Sequence, residues 1–199
     1  MAEYYPGATA IGIRASDGVV LAADKRVTYG FLLMSKAGKK VFRVLDRVGI
    51  ASAGFIADMQ TLARILEAEM KLFELESGFG ARVYNAAKLL SLILHSSSRY
   101  APYIVEAIVG GVDDEGPHVY VLDPLGAVIE DDYAAVGTGA QLAISIIESE
   151  YTNKMKVDEA RALALKAVKA AFSRDATSGD GVDLLTITND GAREEFIPV

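Results

Sequence analysis

Cysteine and tryptophan are absent from the 199 residues, and only two histidines and five prolines are present. Without cysteine the chain has no disulfide framework and no thiolate chemistry, which suits a reducing compartment; the expectation is a cytoplasmic protein. No ligand cluster at zinc spacing occurs, so neither a metal nor a cofactor is expected. Positive charge is in short supply, with 20 Lys and Arg against 27 Asp and Glu and a formal net charge of −7. That balance argues against a nucleic-acid surface, which needs a basic patch to displace counterions. No apolar run approaches the roughly 20 residues that cross a bilayer. Met1 to Gly7 lacks the basic-then-apolar order of a secretory signal, so no membrane partner is expected.

What the chain does have is apolar residues, 51% of the total, enough for a sizeable core in one domain. Ala8–Ala15 and Val19–Lys25 read as strands around Ser16-Asp17-Gly18, a hairpin signal. Lys40–Val44 and Val48–Ala53 form a second pair. From Met59 to Leu75 the apolar positions Leu62, Ile65, Leu66, Met70 and Phe73 recur at helical spacing. A second helix is predicted over 82–97 and is closed by Pro102. Strands return at Ile104–Val112 and His118–Leu122 about the polar turn Asp113–Pro117. Ala127–Ala135 reads as one or two short strands, followed by helices at 141–151 and 157–173. A last hairpin, Val182–Thr188 and Glu194–Ile197, turns at Asn189-Asp190-Gly191. Strands, two helices, strands, two helices, strands: the order predicts an α+β protein, a four-layer αββα sandwich of two antiparallel sheets flanked by helix pairs.

Several segments coincide, in order, with a known pattern. They are Thr9-Ala10-Ile11-Gly12-Ile13, Asp17 through Arg26, Lys39-Lys40, Ala53-Gly54 with Asp58 and Gln60, and Gly110-Gly111-Val112-Asp113. Gly137-Thr138-Gly139 and Arg174 through Gly181 complete the series. Together they resemble the β-type subunits of the proteasome core particle, threonine proteases with the N-terminal-nucleophile hydrolase fold. The resemblance runs from Gly7 to about Gly191. It implies a short propeptide-like segment, residues 1–7, and a single β-subunit domain over 8–199. It also implies hydrolysis of unfolded polypeptide by a threonine exposed when the propeptide is removed. The freed α-amine serves as base, so His95 and His118 are expected to be structural or surface residues.

Carried across position by position, Asp24 and Lys40 match the acid and lysine beside the nucleophile. Gly54 matches the oxyanion-stabilising backbone N–H, and Thr138, Asp175 and Ser178 match the hydroxyl–carboxylate–hydroxyl group around the threonine amine. The family usually has serine where Thr138 stands. Val27, Phe42, Ser52 and Ile56 match the pocket for the substrate side chain, whose Phe42 and Ile56 imply a preference for apolar or neutral residues. The implied partners are proteasome α subunits and other β subunits, including a catalytic one, in stacked heptameric rings.

Counting back from Asp24 and from Lys40 by the family's spacing returns position 8 both times, and position 8 is Ala8. A methyl group can neither attack a carbonyl nor drive cleavage after Gly7. Thr9 is adjacent, but successive strand side chains point to opposite faces. Thr9 shares a face with Ile11 and Ile13, expected to be the core side and turned away from Lys40. Two expectations follow: a catalytically silent ring member that keeps residues 1–7, or an active subunit in which cleavage after Ala8 frees Thr9 as nucleophile. An α-type gating subunit is a remote alternative, since only seven residues precede Ala8.

Overall fold

Sixteen elements follow one another in a computed structural model that describes residues 7–30 and 32–199. Of the propeptide-like segment, residues 1–6 lie outside the described residues. Strands β1 (Thr9–Ala15), β2 (Gly18–Asp24), β10 (Tyr133–Gly137), β11 (Val182–Thr188) and β12 (Gly191–Ile197) form one antiparallel sheet in the order β10-β1-β2-β11-β12. A second takes β5 (Val41–Leu45), β6 (Val48–Gly54), β7 (Val105–Asp113), β8 (Gly116–Leu122) and β9 (Val128–Asp131) in sequence order. Helices α1 (Ile56–Ser77) and α2 (Val83–Ser97) cover the second sheet, and α3 (Ala140–Glu150) and α4 (Val157–Ala171) cover the first. The expected αββα sandwich is what forms.

Three apolar layers account for this order. Leu62, Leu66, Leu90 and Leu94 from the first helix pair pack on Ile50 and Val109. Ala10, Val19, Leu21, Ala51, Ile108 and Leu185 fill the space between the sheets. Ile11, Ile13, Val20 and Leu184 pack on Leu163, Ala167 and Val168. Burial of this kind contributes about 25 cal/mol per Å² of apolar surface removed from water. Both faces of β1 are therefore core. The expectation that only the Thr9–Ile11–Ile13 face is interior is corrected: Ala8 and Ala10 face the second sheet, and Ile11 and Ile13 face α3 and α4.

Other differences have local causes. Helix α1 begins at Ile56, three residues before the predicted start, because its N-cap Phe55 offers no side-chain acceptor that would mark the boundary. It ends at Gly78, whose left-handed φ of 72° lets its N–H close on the Glu74 carbonyl. The hairpin β3 (Val27–Tyr29) and β4 (Leu32–Ser35) was not expected. Leu32, Leu33 and Met34 are all exposed, so there is no buried alternation to reveal a strand. Of the one or two short strands expected over 127–135, two form, and β9 and β10 belong to different sheets.

Candidate active site at the end of the sandwich

Four elements end together where β1 enters its sheet. Asp24 is the last residue of β2, Lys40 directly precedes β5, and Thr138 follows β10. Asp175 and Ser178 lie on the turn that leads from α4 towards β11. Strand pairing brings them together, since Thr9 lies opposite Gly137 and Ala10 opposite Ala23.

Two hydrogen-bonded groups meet at Thr9. In the first, Asp24 Oδ1 accepts from Lys40 Nζ at 2.7 Å and from the Thr9 backbone N–H at 2.9 Å. Asp24 Oδ2 accepts from the backbone N–H groups of Arg26 at 2.9 Å and Gly179 at 3.1 Å. Asp24 is 0% and Lys40 1% exposed. In the second, Asp175 Oδ2 accepts from the Thr138 and Ser178 hydroxyls, each at 2.7 Å. Asp175 Oδ1 accepts from the Thr177 hydroxyl at 2.6 Å and its N–H at 2.9 Å. The Thr9 hydroxyl joins this second group at 2.7 Å from Ser178 Oγ, while the Ala8 N–H donates to Thr138 Oγ1 at 3.2 Å. The backbone of Thr9 thus touches the Asp24–Lys40 pair, and its side chain turns to the hydroxyl cluster on the other face of β1.

Beside this point opens a groove of about 500 Å³ lined by Gly7, Val27, Met34, Lys40, Gly54 and Ile56, among others. Two of the four pocket residues expected from sequence, Val27 and Ile56, line it. Phe42 and Ser52 do not. Phe42 packs against the core under α1 and α2, with Lys39 Nζ 5.8 Å from its ring centre. Ser52 lies two residues beyond Ile50 on the same face of β6, fully buried, and its hydroxyl has no hydrogen-bond partner among the described residues. Gly54 has a φ of 138°, and a Cβ there would stand 2.0 Å from the Ile104 carbonyl oxygen, so only glycine fits.

The family model described as "Proteasome subunit" matches residues 4–187. The chain belongs to the proteasome subunit family. Its relatives place it among the β-type subunits of the core particle. "Proteasome subunit beta 2" of Thermofilum pendens is 61% identical over 197 residues, covering 99% of this chain and 96% of the relative. The protein of the same name from Pyrobaculum neutrophilum is 56% identical, covering 99% and 97%. "Proteasome subunit beta 1" of Ignicoccus hospitalis is 52% identical, covering 92% and 91%. The sandwich of sheets and helix pairs is the N-terminal-nucleophile hydrolase fold, and the family's chemistry is threonine-type endopeptidase hydrolysis.

In this proteasome subunit the electrostatics of the two groups differ. Burial pushes the Lys40 amine below its ordinary value, and the Asp24 carboxylate opposes that shift without cancelling it. The same burial raises Asp24, against the Lys40 charge and the N–H groups of Thr9 and Gly179. Burial acts upward on Asp175 too, but the Thr177, Ser178 and Thr138 hydroxyls outweigh it and hold that carboxyl below the usual range.

Arg26 and Asp180 lie inside the matched segments, where the sequence gives them no role of their own. Arg26 Nε donates to Asp180 Oδ2 at 2.7 Å, and its Nη1 donates to the Ala176 carbonyl at 2.9 Å. This ties the end of β2 to the turn carrying Asp175 and Ser178. The signal was adjacency to Asp24 and to Ser178, and only the fold shows that the two segments touch. His95 and His118 bond to Leu125 O and Glu130, and neither lines the groove.

Proposed function

We propose that this chain is a non-cleaving member of a proteasome β ring that keeps the residues before Ala8. The observation that carries this reading is the residue at the start of β1: Ala8 has a methyl group where the family's register calls for the nucleophilic hydroxyl. The next hydroxyl along the chain, that of Thr9, is 0% exposed and bonded to Ser178. For Thr9 to attack a carbonyl in the groove, it must leave that bond and the end of β1 must rotate. Asp24, Lys40, Gly54, Thr138, Asp175 and Ser178 are then the surroundings of a reaction centre that lacks its nucleophile.

In this role the chain fills ring positions, lines the chamber in which unfolded polypeptide is cut, and supports catalytic β subunits, with α subunits capping the particle. The second reading, Thr9 as nucleophile after cleavage behind Ala8, has one observation in its favour. The Thr9 nitrogen lies 2.9 Å from Asp24, so a freed amine there would sit beside the acid–lysine pair.

Intact mass of the subunit from particles assembled with its α and partner β subunits decides between them. A mass that retains Gly7 and Ala8 is expected. A chain that starts at Thr9 overturns the proposal, and Thr9→Ala would then abolish peptide hydrolysis by the subunit.

A further inference from the structure

The buried lysine of this site has fewer partners than its chemistry allows. An ammonium group carries three N–H donors. Among the described residues, Lys40 Nζ has one hydrogen-bond acceptor, Asp24 Oδ1 at 2.7 Å. Its side chain is 1% exposed, yet it lines the groove of about 500 Å³, whose walls Val27, Met34 and Ile56 are apolar. In a site with a hydroxyl at position 8, that hydroxyl would be the nucleophile offered to a carbonyl in the groove. With Ala8 in place, the amine of Lys40 is the nucleophilic nitrogen that borders the groove beside that position.

We propose that Lys40 is a reactive amine that captures aldehydes carried on apolar groups as a Schiff base. This rests on the reading of Ala8 as a blank nucleophile position. The nitrogen lone pair attacks the aldehyde carbon, a C–N bond forms, and the carbonyl oxygen takes up a proton to give a carbinolamine. The C–O bond then breaks, the oxygen leaves as water with both former amine hydrogens accounted for, and the imine remains. Asp24, 2.7 Å from the nitrogen, is placed to accept and return the proton. The charged groups acting on Lys40 are Asp24 and Asp175, which favour its ammonium form, and Arg26, which opposes it; burial outweighs the attraction and favours the free amine.

The test uses assembled particles, a peptide aldehyde ending in leucinal, and sodium cyanoborohydride at neutral pH, with each adduct located by peptide mapping and mass. An adduct on Lys40 is expected to form at least about tenfold faster than on any other lysine, since the apolar groove gathers the aldehyde beside its amine and burial favours the free form. Ile56→Trp, which narrows the groove and leaves Lys40 in the sequence, is expected to slow it about tenfold or more. Lys40→Arg is expected to remove it. Adducts confined to surface lysines and the α-amine of an uncut chain would overturn the inference and leave the non-cleaving reading standing. An equal rate on Lys40 in Ile56→Trp would also overturn it, by showing that the groove does not direct the aldehyde. An adduct on the α-amine of a chain beginning at Thr9 would overturn both.

Discussion

At the scale of single residues the site turns on one hydroxyl and one buried ion pair. If the surroundings of position 8 remain competent, Ala8→Thr is expected to restore cleavage after Gly7. Peptide hydrolysis should then rise by at least about two orders of magnitude, the usual worth of a placed acid–base pair. Particles whose other β subunits are inactivated, given fluorogenic peptides, check this. Apolar residues before the cut should be preferred over acidic ones, given the walls of the groove. No gain in a correctly cut Ala8→Thr chain would show that Asp24 and Lys40 are not poised for catalysis. Asp24→Asn takes away the carboxyl oxygen to which Lys40, 1% exposed, donates its hydrogen bond, and should destabilise the subunit by about 1–3 kcal/mol. Adding Lys40→Met should recover part of that loss, because the two residues act as one unit; thermal unfolding of both variants reads it out.

Elements matter through where they stop. Strand β6 runs to Gly54, where a Cβ would meet the Ile104 carbonyl oxygen at 2.0 Å. Gly54→Ala therefore has to displace the β6–β7 pairing beside the groove. It should cost more than the ~1–3 kcal/mol of backbone strain alone, visible as a lowered melting temperature. Helix α4 stops at Ala171 and the turn after it carries Asp175, whose N–H bonds back to the Ala171 carbonyl, while β2 stops at Asp24, so both site carboxylates stand at or just past element ends. Such ends carry the side chains of a site because the regular backbone behind them is rigid and the next segment is free to turn. Arg26 joins the two ends through Asp180, whose own backbone takes a left-handed φ of 66°. That conformation is uncommon for a residue with a side chain, and the ion pair holds it.

For the whole molecule, acid is the condition under which the fold should loosen first. Arg26 holds Asp180 below its ordinary value, Arg161 does the same for Glu195, and the hydroxyl cluster does so for Asp175 despite burial. Each carboxylate folds with a lowered pKa. Its contribution is present above the unfolded value near 4 and is lost as pH falls through the depressed folded value. The melting temperature should be flat near neutrality and drop as pH falls below about 4, and Asp175→Asn should shallow that drop. Family membership places the subunit in an assembly with other proteasome subunits. The exposed Leu75 and Leu92 on the first helix pair, and Phe79 on the connection between its helices, show that the subunit alone leaves apolar surface uncovered.

By itself the sequence determined the order of the sheet strands and helices, the αββα layers and the family, because hydrophobic period and turn chemistry are local and the matched segments are contiguous. It also determined that position 8 lacks a hydroxyl. Only the tertiary structure decided that both faces of β1 are core, that the Thr9 hydroxyl belongs to the Ser178 cluster, and that Phe42 and Ser52 turn away from the groove. Those outcomes depend on which layer covers each strand face. A strand's period of two tells that alternate residues part company but not what each set meets. The exposed hairpin β3–β4 and the Arg26–Asp180 tie were illegible for a related reason. One has no buried side to pattern, and the other joins segments that lie at opposite ends of the chain until the first sheet sets β2 beside β11.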